Sequence, residues 1–152
     1  MSRFVFKLQR IMDMRQQAVD EAQTYLENCR KVLSELKRLL LEQRDGYLLE
    51  RDSLNDSIRN GEHFKYPVYE QSLEKRKSRM MELLEAIRVA ESDVDIAEQH
   101  LLTCRRNMRV MENFRDKKSA EFIESEKRKE RKFLDEQATF RHQRSVFDSS
   151  RS

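Results

Sequence analysis

Glycine and proline, the residues that most often interrupt helices, are nearly absent from this chain. Two glycines and one proline occur in 152 residues, whereas 39% of the residues are charged. A fold with several turns needs more of the residues that favour turns. A composition rich in Glu, Lys, Arg and Leu is typical of long helices with a solvated surface. The sequence therefore predicts a few long helices.

The breakers that do occur mark one turn. Asn60-Gly61 is a signal for the end of a helix, and Pro67 suits the first turn of the next helix. The predicted single domain, 1–152, therefore comprises a first helix over about 5–59, a turn over 60–66, a second helix over about 67–140 and a frayed tail over 141–152.

Apolar residues recur at alternating spacings of three and four on both sides of this turn. On the first helix they are Leu8, Ile11, Ala18, Ala22, Tyr25, Cys29, Val32, Leu36 and Leu39, with Arg15 as the polar exception. On the second helix they are Tyr69, Leu73, Met80, Leu83, Ile87, Ala90, Val94, Ala97, Leu101, Cys104, Met108 and Met111, with Arg76 as the exception. This heptad spacing predicts an all-α, long two-helix antiparallel coiled-coil hairpin.

Centring the hairpin on the turn determines which residues face each other. The predicted pairs include Ala22 with Cys104, Cys29 with Ala97, Leu36 with Ala90, Gly46 with Met80 and Glu50 with Arg76. Large residues opposite small ones satisfy close packing, and we interpret Gly46 as leaving room for Met80. Glu50 supplies an opposite charge for Arg76. At 1.5 Å per residue the two helices would be roughly 80 Å and 110 Å long.

No sequence motif for catalysis or cofactor binding is present. The chain lacks a glycine-rich phosphate loop, a GxSxG nucleophile elbow and an HExxH zinc motif. His100 and Cys104 are four residues apart, but Cys104 is a predicted seam position and no further ligand lies nearby. We therefore expect no enzymatic activity, cofactor or metal site. No stretch reaches the roughly 20 apolar residues of a membrane-spanning helix, so we expect a cytoplasmic protein.

The eight phenylalanines avoid the regular seam. One lies in the turn and seven lie toward the open end of the predicted hairpin: Phe64 in the turn, and Phe4, Phe6, Phe114, Phe122, Phe133, Phe140 and Phe147 at the open end. We interpret the open-end rings as a surface that docks into a partner. The alternative is that these rings fold back and plug the end of the hairpin.

A second apolar stripe runs beside the predicted seam of the first helix. It consists of Leu26, Leu33, Leu40, Tyr47 and Leu54. If exposed, it would mark another contact, or the interface of a four-helix bundle formed by a generic structural coiled coil. The basic run 126–132 also contains Glu126 and Glu130, so we interpret it as a solvated helix face and expect no nucleic-acid partner.

Two segments resemble the FliJ family of bacterial flagellar type III export proteins. The matching positions are Phe4, Phe6, Leu8, Ile11 and Arg15 before the first heptads, and Tyr69, Leu73 and Glu74 after the turn. The paired phenylalanines are the most distinctive of these, and the resemblance extends over essentially the whole chain. The family is a soluble stalk that acts without catalysis, and an equivalent stalk of a virulence injectisome is the nearest alternative.

The resemblance implies three partners: the hexameric export ATPase, the cytoplasmic domain of the membrane-embedded export gate, and export chaperones. The implied ATPase-facing residues are Phe4, Phe6, Leu8, Phe114, Phe122 and Phe133. The implied gate-facing residues are Gln43, Tyr47, Leu54, Tyr69 and Leu73. The protein is then expected in the cytoplasm, peripherally associated with the inner face of the cell membrane and touching the membrane only through its partners.

Overall fold

The computed structural model describes residues 2–151, so Met1 and Ser152, the outermost residues of the predicted domain, lie outside the described residues. The chain forms a helix α1, Gln9–Arg59, a single 3₁₀ turn, His63–Lys65, and a helix α2, Tyr66–Arg151. Residues 2–151 contain no strand. The prediction of an all-α helical hairpin is confirmed.

Packing divides the chain into two compact units. Met1–Gln16 and Arg106–Ser152 form one, here called the terminal unit. Gln17–Arg105 form the other, here called the hairpin unit. Each unit therefore pairs a piece of α1 with a piece of α2.

The turn between the helices follows from two residues. Gly61 adopts φ 74°, a left-handed conformation that glycine reaches without the steric penalty of a Cβ. The Glu62 N–H then donates to the Ser57 carbonyl at 2.9 Å, and the Gly61 N–H donates to the Ile58 carbonyl at 3.1 Å. This pair of hydrogen bonds is the Schellman motif, which satisfies carbonyls left free at a helix end. The helix-end signal of Asn60-Gly61 is confirmed.

The second helix is longer than predicted. Pro67 lies in its first turn, where its missing N–H costs no hydrogen bond. The prediction that α2 ends near residue 140 and leaves a frayed tail was wrong, because the helix continues to Arg151. No glycine or proline follows Pro67, so nothing in this half of the chain interrupts the helical hydrogen bonds.

In the hairpin unit, the predicted seam of α2 is confirmed and that of α1 is half wrong. Ala90, Ala97 and Leu101 on α2 are buried as expected. On α1, however, Leu26 is 2% exposed while Tyr25 and Val32 are 57% and 56% exposed. The stripe of Leu26, Leu33, Leu40, Tyr47 and Leu54 is buried or half-buried and therefore belongs to the seam itself.

The physical reason is that α1 has apolar residues on three adjacent heptad positions, which is wider than one partner helix covers. Packing on the leucine side buries more hydrocarbon than packing on the side of Tyr25, and it leaves the tyrosine hydroxyl in water. The stripe is consequently not free to form the four-helix bundle that was considered for it.

The predicted facing residues of the hairpin unit are nevertheless close. Ala22, Cys104 and Ala97 share one buried cluster, and Cys29 packs against it. Arg76 Nε lies 2.9 Å from Glu50 Oε1, as the predicted pairing requires. These contacts require an antiparallel arrangement, since residues later in the sequence of α1 contact residues earlier in the sequence of α2.

Candidate interaction surfaces

An aromatic cluster joins the two chain segments of the terminal unit. The rings of Phe6 and Phe114 lie 5.9 Å apart, and those of Phe4 and Phe122 lie 5.6 Å apart. Both pairs are tilted, as aromatic pairs prefer. Leu8, at the end of the same segment, is half-buried. We call Phe4, Phe6, Leu8, Phe114 and Phe122 the terminal cluster.

The N-terminal segment makes this cluster because it is not helical. The first helix was predicted to begin near residue 5, but it begins at Gln9. Phe4 and Phe6 both contact rings of α2. Residues 2–6 are not helical, and a non-helical chain can advance up to roughly 3.3 Å per residue rather than 1.5 Å. The segment therefore reaches Glu126, whose carboxylate accepts a hydrogen bond from Ser2 Oγ at 3.4 Å.

Burial in the terminal cluster favours the alternative in which the rings plug the hairpin. Phe6 is 8% exposed, so its ring serves packing in the isolated chain. Phe4 and Phe122 are half-buried, and Phe114 is 38% exposed, so each keeps an accessible edge. The cluster is a packed element with an exposed rim.

The sixth residue of the ATPase-facing set lies apart from the terminal cluster. Phe133 is 58% exposed on α2. Phe140 and Phe147 follow at intervals of seven, and they are 75% and 56% exposed. Residues seven apart share one face of a helix, so these three rings form a stripe on the terminal unit. We call it the phenylalanine stripe.

The residues predicted to face the export gate all belong to the hairpin unit. Gln43, Tyr47 and Leu54 on α1, and Tyr69 and Leu73 on α2, are all half-buried. Lys77 Nζ lies 6.0 Å from the centre of the Tyr47 ring, within cation–π range. Each of these side chains is therefore only partly accessible to solvent.

A polar layer crosses the seam beside them. Arg76 donates from Nε to Glu50 at 2.9 Å and from Nη1 to Gln43 at 3.2 Å. Ser72 Oγ donates to the second Glu50 oxygen at 2.7 Å. The hydrogen bond from Ser72, together with the charge and hydrogen bond of Arg76, holds the pKa of Glu50 below its usual value. The guanidinium of Arg76 has five N–H donors, so it can bond to Glu50 and Gln43 together, and the two carboxylate oxygens of Glu50 can accept from Arg76 and Ser72 separately.

Gly46 accommodates the same guanidinium. A methyl group at Gly46 would overlap the Arg76 side chain. The interpretation that Gly46 leaves room for Met80 was therefore wrong, and the residue it accommodates is Arg76. Glycine in a helix costs about 1 kcal/mol relative to alanine, and here that cost permits a charged side chain to lie across the seam.

One exposed apolar group was missed by the sequence reasoning. Ile58, Phe64, Tyr66 and Val68 surround the turn and are 40%, 77%, 44% and 71% exposed. None of the four was included in the predicted seam, and only Phe64 was singled out. The signal that would have found them is the density of large apolar residues in a turn, where polar residues are usual.

The remaining surface has the electrostatics of a solvated helix. Hydrogen bonds from Arg38 and Arg88 lower the pKa of Glu35 and Glu85, respectively, one helical turn away. Among residues 2–151, no group of three or more His, Cys, Asp or Glu side chains is placed to hold a metal ion. His100 Nε2 lies 3.6 Å from Cys104 Sγ. Within the same range, neither helix has a segment long and apolar enough to cross a membrane.

The fold defines a class: an all-α protein of two long helices paired as a hairpin. The family model described as flagellar FliJ protein matches residues 4–146. The chain therefore belongs to the FliJ family and is a protein of flagellar export. No curated protein and no solved structure matches the chain significantly.

Proposed function

We propose that this protein is a non-enzymatic stalk and adaptor of the flagellar export apparatus. Family membership over nearly the whole chain is the observation that carries the proposal. In this role the terminal unit binds the hexameric export ATPase, and the hairpin unit binds the cytoplasmic domain of the export gate. Export chaperones are the third class of partner. The protein then works in the cytoplasm at the inner face of the cell membrane, held there by its partners.

The accessible features of each unit support this division. The terminal unit offers the rim of the terminal cluster and the exposed ring of Phe133. Large rings at a surface are the residues that most often anchor protein interfaces. The hairpin unit offers the edges of Tyr47 and Tyr69 near a polar layer. An apolar surface and a mixed polar surface suit partners of different chemistry.

A binding comparison tests the proposed system. The purified chain is titrated against a flagellar export ATPase and, separately, against an injectisome ATPase, with hydrolysis rate and co-sedimentation as readouts. We expect binding and a changed hydrolysis rate with the flagellar enzyme alone. Binding to the injectisome enzyme alone would favour the injectisome alternative. Equal binding to both would contradict the expected flagellar specificity, and binding to neither would contradict the ATPase role.

A further inference from the structure

The part of α2 that carries the phenylalanine stripe has no partner helix within the chain. Glu126, beside Ser2, is the last half-buried residue of α2. Every described residue from 127 to 151 is exposed. These residues nevertheless remain helical to Arg151. The helix therefore presents about 25 exposed residues, roughly 37 Å, that no other helix among residues 2–151 covers.

The phenylalanine stripe continues the seam face of this helix. Glu126 lies seven residues before Phe133, and Phe140 and Phe147 follow at the same interval. Residues at this spacing occupy one heptad position, so the face that packs in the terminal unit is the face that bears the rings. An exposed row of three phenylalanines along a seam face is the pattern of a helix that packs on another helix.

Charge determines which helix suits this face. If a second copy packs antiparallel about a two-fold axis through Phe140, each Phe133 meets Phe147 of the other copy. Glu136 then lies near Arg144 of the other copy, and Lys132 near its Asp148, whereas Lys129 meets Arg151 at the end of the segment. A parallel pair would instead place Arg144 against Arg144 and Glu136 against Glu136, which is repulsive.

We propose that the phenylalanine stripe is the interface of an antiparallel homodimer, with Phe140 on the two-fold axis. A symmetric interface must be complementary to itself, and the central part of this segment satisfies that condition in its ring positions and in the pair Glu136 with Arg144. The interface is small compared with the roughly 800 Å² per partner of a stable complex, so dimers form as concentration rises and dissociate on dilution. The homodimer goes beyond the proposed export function and does not rest on it. Because Phe133 is also proposed to face the export ATPase, the second copy and the ATPase would compete for this ring.

Sedimentation velocity on the full chain, over a range of protein concentrations, tests the proposal. The wild type should shift from monomer to dimer as concentration rises. Glu136→Arg and Arg144→Glu should each weaken the dimer by about tenfold, because each reversal affects two symmetry-related pairs. The combined Glu136→Arg, Arg144→Glu variant should restore dimerisation, and Phe140→Ala should abolish it.

Asp135→Arg is the matched control, because it makes the same charge change one residue away on the opposite helix face. Its dimerisation should equal that of the wild type, and circular dichroism should show equal helix content in every variant. A chain that stays monomeric at all concentrations would overturn the proposal, and the phenylalanine stripe would then be a candidate interface for a different protein. A dimer that ignores both single reversals, or that the double reversal does not restore, would overturn the antiparallel pairing.

Discussion

At the scale of single residues, neighbouring side chains with similar chemistry have opposite roles. Leu26 is enclosed by α2, whereas Tyr25, one residue earlier, is more than half exposed. Heptad spacing alone allowed either residue to be the seam position, since both belong to apolar rows on α1. The difference lies in how much hydrocarbon each row buries against α2.

Truncation of these two residues should separate the two assignments. Leu26→Ala removes buried hydrocarbon and should lower the free energy of unfolding by about 2–4 kcal/mol. Tyr25→Ala removes a ring that is mostly in water and should change it by about 0.5 kcal/mol. Urea unfolding followed by circular dichroism measures both. If Tyr25→Ala lowered the free energy of unfolding more than Leu26→Ala, Tyr25 would be the seam residue, as the heptad spacing alone suggested.

The polar layer offers a second residue-scale test through Gly46. Alanine is better than glycine in a helix by about 1 kcal/mol, so Gly46→Ala should stabilise the protein by that amount in an Arg76→Ala background. In the wild-type background the gain should vanish, because the added methyl displaces the guanidinium from Glu50. The four unfolding free energies form a double-mutant cycle. Equal gains in both backgrounds would show that Gly46 does not accommodate Arg76.

At the scale of elements, the sequence predicted the turn and the seam of the second helix better than the seam of the first. The turn depends on Asn60-Gly61, whose conformational preference is local. The seam of α2 was recovered because it is one apolar row with few apolar residues beside it. The wide apolar face of α1 left its seam ambiguous. The non-helical N-terminal segment was missed because its paired rings gain their burial only from contact with α2, which no local pattern contains.

The N-terminal segment should be held in place by its rings. Phe6→Ala should lower the free energy of unfolding by about 2 kcal/mol, less than a full core truncation because the segment is at an edge. Trypsin should then cleave faster after Lys7, since the segment detaches more often. Val5→Ala is the control, because Val5 is 74% exposed and points away from α2. Unchanged cleavage of the Phe6→Ala chain would mean that its ring does not hold the segment.

At the scale of the whole molecule, the two compact units differ in what they offer to partners. The terminal unit is rich in phenylalanine, and the hairpin unit carries the polar layer and the edges of tyrosines. Fold class and family were accessible from the sequence because both depend on long repeated patterns. The sequence did not predict which side chains of each candidate site are exposed, because exposure depends on which of two neighbouring residues on one helix is covered by the other helix.

The central claim is that the terminal unit binds the export ATPase and the hairpin unit binds the export gate. The most direct test measures the affinity of Phe133→Ala and Tyr47→Ala for both partners, with circular dichroism confirming that each variant is folded. Leu134→Ala and Leu49→Ala are the controls, since these leucines are 56% and 69% exposed on other faces of the same helices. We predict that Phe133→Ala loses at least tenfold in affinity for the ATPase alone, and Tyr47→Ala for the gate alone, about 1.4 kcal/mol each. Variants that weaken both partners equally, or neither, would contradict the claim.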